Sequence, residues 1–141
     1  MLKRIRKNKK GFTLAELLIV VAIIGVLVAI SIPIFTAQLG KARAATDAAN
    51  IRSGYAEVAS TVLTDNVTTD KTYTLEADGT VKETSTSAYK TKGKSADLGT
   101  ETTVIGSTKV GTGTGELNWE ANKSITYTYD ADTGTITISA S

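Results

Sequence analysis

Three hydropathy regimes follow one another along this chain. Leu17 to Ile30 form an unbroken apolar run, which extends to Phe35 with Ser31 as its only hydroxyl and Pro33 as the only proline of the chain. Counted from Phe12, about 20 residues of helix rise roughly 30 Å, the thickness of a bilayer's hydrocarbon core. Val20, Val21, Ile23 and Ile24 are β-branched, but in lipid a segment must satisfy its own backbone, so a helix is expected there. The second regime continues without a break. Leu39, Ala42, Ala45 and Ala49, then Ile51, Tyr55, Val58 and Val62, make an apolar stripe at helical spacing, with Lys41, Arg43, Asp47, Arg52 and Glu57 mostly off it. One helix from Phe12 to Leu63, roughly 75–80 Å long, is predicted, apolar all round at first and amphipathic afterwards.

From Thr64 the period changes to two. Tyr73 and Leu75 precede Ala77-Asp78-Gly79 and Val81, a hairpin signal. Residues 84–103 are rich in Ser, Thr, Lys and Gly and read as a surface loop. Val104 and Ile105 form a short apolar patch before the flexible stretch Gly111 to Gly115, and Trp119 is expected to anchor a core with its N–H partnered. Ile125, Tyr127 and Tyr129 alternate with threonines, and after Asp130 to Gly134 so do Ile136 and Ile138, which makes a hairpin with one apolar and one threonine face. The fold class expected is α+β: a long N-terminal helix whose stripe covers a small antiparallel sheet of about four strands.

Charge adds an asymmetry. Lys3, Arg4, Arg6, Lys7, Lys9 and Lys10 all lie in the first eleven residues; without them ten basic side chains face fourteen acidic ones, a balance of −4. The pI near 8.8 therefore describes the N-terminal segment, and gives no basis for nucleic-acid binding by the rest. Basic flanks stay on the inner side of a membrane.

Candidate chemistry is sparse. The chain has neither cysteine nor histidine, so disulfides, thiol nucleophiles, imidazole bases and the usual triads are excluded, and an enzyme is not expected. No cofactor is required. Asp130 and Asp132 resemble the start of a calcium loop, but the glutamate that closes such a loop is missing, and a hairpin turn is the better reading. Asn66-Val67-Thr68 and Asn122-Lys123-Ser124 match the N-glycosylation pattern. Lys90, Lys92 and Lys94 beside Tyr89 are thin support for a single-stranded nucleic-acid site, which needs interleaved stacking aromatics.

The segment Lys9-Lys10-Gly11-Phe12-Thr13-Leu14-Ala15-Glu16-Leu17 resembles a class III signal sequence, the leader of type IV pilins and pseudopilins, and the likeness runs from residue 7 to about 45. The resemblance implies cleavage by a prepilin peptidase between Gly11 and Phe12, and N-methylation of Phe12. It also implies that Glu16 pairs with the free amine of Phe12 in a neighbouring subunit and so sets register. From the residues alone, Glu16 is equally a carboxylate favoured by the helix N-terminus. The segment between Gly25 and Pro33 loosens in assembled filaments of the family; Gly25 lowers helix propensity and Pro33 leaves the Ala29 carbonyl without its helical donor. The corresponding divisions are a leader at 1–11, a membrane and filament-core helix at 12–35, an amphipathic helix at 36–63 and a β-rich head at 64–141. The resemblance further implies a helical homo-oligomer, an assembly ATPase and a membrane platform protein as partners, and a precursor in the inner membrane that ends in a surface filament. The absence of cysteine fits the cysteine-poor pilins of Gram-positive bacteria. Alternatives are a pseudopilin of a secretion or DNA-uptake system, or a secreted β-rich adhesin cut by an ordinary signal peptidase near Ala42-Arg43-Ala44.

Overall fold

The computed structural model describes residues 11–99 and 103–141; the leader up to Lys10 and residues 100–102 of the expected loop lie outside the described residues. The described residues divide into two compact units, the first reaching Thr36 and the second spanning Ala37–Ser141. Helix α1, Leu14–Thr64, contributes to both.

In the first unit α1 is apolar around its whole circumference. Its most hydrophobic window has a mean hydropathy of 3.1, is long enough to cross a membrane, and contains no buried residue. The β-branched residues stay helical, and Pro33 lies inside the helix. Two hydroxyls bond back to the helix backbone near that proline, an arrangement that favours bending: Ser31 Oγ donates to the Leu27 carbonyl at 2.7 Å and Thr36 Oγ1 to the Pro33 carbonyl at 3.0 Å.

In the second unit the four-stranded antiparallel sheet has the order β2-β1-β5-β6, from β1 (Lys71–Leu75), β2 (Val81–Lys82), β5 (Ile125–Asp130) and β6 (Thr135–Ala140). Strands β3 (Val104–Ile105) and β4 (Thr108–Lys109) form a separate ribbon. The register puts Tyr127 opposite Ile138 and Tyr73, and Thr126 opposite Ser139. Apolar side chains thus share the face that packs with Ile51, Val58 and Val62 in the core, while the hydroxyls of Thr126 and Ser139 pair at 2.7 Å outside. Gly79, at φ +90°, turns the first hairpin in a conformation that only glycine adopts without strain.

Gly54 brings helix and sheet together. A Cβ at this position would lie 2.3 Å from Tyr127 Oη. Its absence lets Tyr127 lie on the helix and donate to the Ile51 carbonyl at 2.7 Å. A mid-helix glycine costs about 1 kcal/mol against alanine, offset here by that hydrogen bond and the burial of the ring.

Three expectations need correction. The stripe is right from Ile51 onward, but before it the buried residues are Ala44, Asp47 and Ala48, whereas Ala42, Ala45 and Ala49 are exposed. Among so many alanines hydropathy does not fix the phase of the face; the segment lying on the helix does. That segment is the second correction. Within the expected surface loop, Tyr89, Thr91, Gly93 and Ser95 are buried, and Ser95–Leu98 form a 3₁₀ turn. Third, Trp119 is indeed a buried anchor, but its indole N–H has no hydrogen-bond partner among the described residues.

Candidate functional site

The helix begins in a reciprocal cap. Thr13 precedes α1, and its Oγ1 accepts the Glu16 N–H at 3.2 Å, while Glu16 Oε2 accepts the Thr13 N–H at 2.9 Å. This arrangement satisfies two donors that the first turn otherwise leaves without partners, and it places the Glu16 carboxylate at the positive end of the helix. The cap explains why α1 starts two residues after Phe12. A carboxylate offers about four lone-pair directions, so the cap leaves Glu16 acceptor capacity for a further donor. Phe12 stands beside it, 92% exposed.

Behind the cap Leu17, Leu18, Val20, Ile23, Ile24, Leu27 and their neighbours are all exposed, a contiguous apolar surface with Glu16 as the one charged side chain between Phe12 and Phe35. Soluble monomers do not keep a patch of this size in water; it requires lipid or other apolar side chains. Around Gly25 there is open space, so nothing within the chain demands a glycine there.

The candidate calcium residues serve the β5–β6 turn. Asp130 Oδ1 accepts the Thr133 N–H at 2.9 Å, a bond that holds its carboxyl below the usual carboxylate range. Among the described residues no group of three or more acidic side chains is arranged to hold a metal. Tyr89 is unavailable for stacking on a base, because it is buried against α1 and its hydroxyl donates to Asp47 Oδ1 at 2.6 Å.

Asp47 is the polar centre of the second unit, and the sequence reading placed it off the buried face. Besides the Tyr89 hydroxyl, its carboxylate accepts the Lys92 N–H at 2.9 Å and the Gly93 N–H at 2.7 Å. Burial, and then the bond to Asp47, push the Tyr89 hydroxyl up to about 12. The contact is close because residue 93 is glycine: a Cβ there would lie 2.5 Å from the Ala44 backbone nitrogen. A signal was present, since Asp47 lies four residues before Ile51 and three after Ala44, on the buried face of any helix that buries both.

The family model for the prokaryotic N-terminal methylation motif matches residues 6–32. A type IV narrow pilus major component of Thermus thermophilus, PilA5, is 54% identical over 50 residues, covering 33% of this chain and 43% of the relative. The chain therefore spans less than half the length of that relative. No solved structure gives a significant match. The charged cap at the start of an exposed apolar helix thus lies within a prokaryotic N-terminal methylation motif, in a region similar to that of a type IV pilus major component.

Proposed function

We propose that this chain is the structural subunit of a type IV pilus, held in the membrane by the first part of α1 and polymerised through it. The observation that carries this reading is the apolar surface from Leu17 to Phe35, wholly uncovered in the monomer and lying mostly within the methylation motif matched over residues 6–32. In the precursor that surface faces lipid. In the filament it faces the same segment of other copies, and the side chains remain out of water throughout. The role is architectural and involves no catalysis.

Processing supplies the switch. A peptidase cuts between Gly11 and Phe12, and Phe12 becomes an N-methylated terminal amine. Glu16, poised by the Thr13 cap, receives that amine from the neighbouring subunit, and a charge pair inside an apolar core fixes axial register because any other register leaves a carboxylate without a partner. Gly25 and Pro33 mark the part of the helix that loosens on assembly. The divisions 1–11, 12–35, 36–63 and 64–141 then have separate duties: retention, assembly, support and outer surface. An assembly ATPase and a platform protein extract the subunit from the membrane, and the product is a surface filament for adhesion, motility or biofilm formation. The relative's role as a major pilus component favours a pilus over a pseudopilus. Ordinary signal cleavage near Ala44 would divide a continuous helix at a buried residue.

Mass spectrometry of sheared surface material tests the reading. N-methylated Phe12 as the mature terminus is the expected result. A mature protein beginning at Ala45 would lack the assembly helix and would overturn it.

A further inference from the structure

The second unit is electrostatically polar along α1, and we infer that its two ends dock on one another in successive copies of this chain. The inference rests on the filament reading above.

At the end where α1 enters this unit, the segment after Tyr89 alternates strictly: Thr91, Gly93 and Ser95 are buried, while Lys90, Lys92 and Lys94 are exposed. The pinning of Lys92 and Gly93 backbone amides to Asp47 fixes that alternation, so three lysines stand in a row at about 6.6 Å intervals. Exposed Arg43 lies beside them, because a Cβ on Gly93 would be 2.9 Å from the Arg43 carbonyl carbon. Lys123 is brought there too, its N–H bonded to Thr91 Oγ1 at 2.9 Å. Among the described residues the carboxylates on this side include Asp97, Glu120, paired with Lys94 at 3.0 Å, and Asp78, exposed in the β1–β2 turn beyond the Glu76–Ala88 bridge, while Glu76 and Asp47 are buried; the exposed cations outnumber the exposed carboxylates there.

The other end has the opposite sign. Asp65 follows α1, Asp70 precedes β1, and Asp130 and Asp132 form the β5–β6 turn. The Asp70 carboxylate accepts the Ala131 N–H at 2.8 Å, which brings the strand start and the turn together. Glu83 is there as well, paired with Lys71 at 2.5 Å. From Arg43 to Asp65 the helix axis rises roughly 33 Å, so the two ends are separated by more than two Debye lengths at physiological salt and act as distinct poles.

A polar filament repeats one heterologous contact, in which the same end of every subunit meets the opposite end of another. Subunits with like-charged ends would repel there. In this chain the basic end of one copy meets the acidic end of the next. Such charges steer encounter and fix orientation more than they add affinity.

The test uses the full chain in cells with type IV pilus machinery but lacking their own major pilin. Lys92→Glu with Lys123→Glu reverses the basic end, and Asp65→Lys with Asp132→Lys reverses the acidic end; none of the four side chains is among the hydrogen-bonding groups described above. Each pair is expected to lower the filament sheared per cell about fivefold or more, with the combination of all four restoring most of it. Recovery in the combined variant distinguishes complementarity from misfolding. If both pairs leave the yield unchanged, or if the combined variant stays as poor as either pair, the inference fails while the filament reading stands. It fails equally if reversing the basic end spares the yield and abolishes only binding to an anionic polymer such as polyphosphate, which would make that end an outer binding surface. An unaltered chain that forms no filament would defeat the filament reading, and this inference with it.

Discussion

Helix α1 uses one backbone for two opposite purposes, and its two parts differ in what becomes of their apolar side chains. Up to Thr36 Leu, Ile and Val occupy every side and none is buried. From Ala37 onward apolar side chains concentrate on one face, and that face is covered by Tyr73, Leu75, Tyr127 and Ile138. A stretch that buries nothing of its own has its partners outside the chain. A stretch that buries one face has already found them. The same difference separates Glu16 from Asp47. The first is exposed and bonded locally, free to accept another donor, while the second is buried and fully engaged by residues 42 to 46 positions away.

The comparison is tested most severely by placing a charge where the first part has none. Val28→Asp adds about 2.5–3.5 kcal/mol to membrane insertion and leaves an unpartnered carboxylate in every assembled subunit. Filaments should disappear from sheared material, while the thermal unfolding of the Ala37–Ser141 unit in detergent stays unchanged. A fall in that transition would show the two regions to be coupled.

Asp47→Ala should do the reverse. It leaves the Tyr89 hydroxyl and the Lys92 and Gly93 amides without an acceptor, a loss of about 3–5 kcal/mol by chemical denaturation, with membrane insertion unaffected.

Alkaline pH probes the same unit more gently. Tyr89 titrates near 12 in the folded protein, and burial pushes Tyr127 up as well. A folded-state value above the unfolded one means that the stabilisation is complete below pH of about 10 and is lost as pH rises through about 12. The loss from Tyr89 is on the order of 2 kcal/mol, and Tyr89→Phe should flatten that part of the pH profile. The smallest effect is expected at Pro33. Pro33→Ala should shift unfolding of the second unit by less than about 0.5 kcal/mol, yet make filaments less extensible under tension, as measured by optical tweezers.

Much of the fold can be read from the chain. The apolar run is long enough that no other element suits it, and the amphipathic continuation from Ile51 to Val62 has a clear period. The Asp78-Gly79 turn and the alternating Ile125–Tyr129 and Ile136–Ile138 strands are local signals, and all recur as β1–β2 and β5–β6. The start of α1 carries a local signal too, since a threonine followed three residues later by a glutamate is itself a cap.

What the chain determined by itself is whatever depends on neighbours in sequence: helix periodicity, hairpin turns, the capped start and a surface that nothing within the chain covers. Tertiary structure alone decided the face of α1 between Ala42 and Ala49, the burial of Asp47, and the alternation that exposes Lys90, Lys92 and Lys94. The reason lies in the cost of burying a charge. Asp47 is tolerated inside only because two backbone amides and a hydroxyl arrive from a segment more than forty residues away, and no local pattern records that arrival.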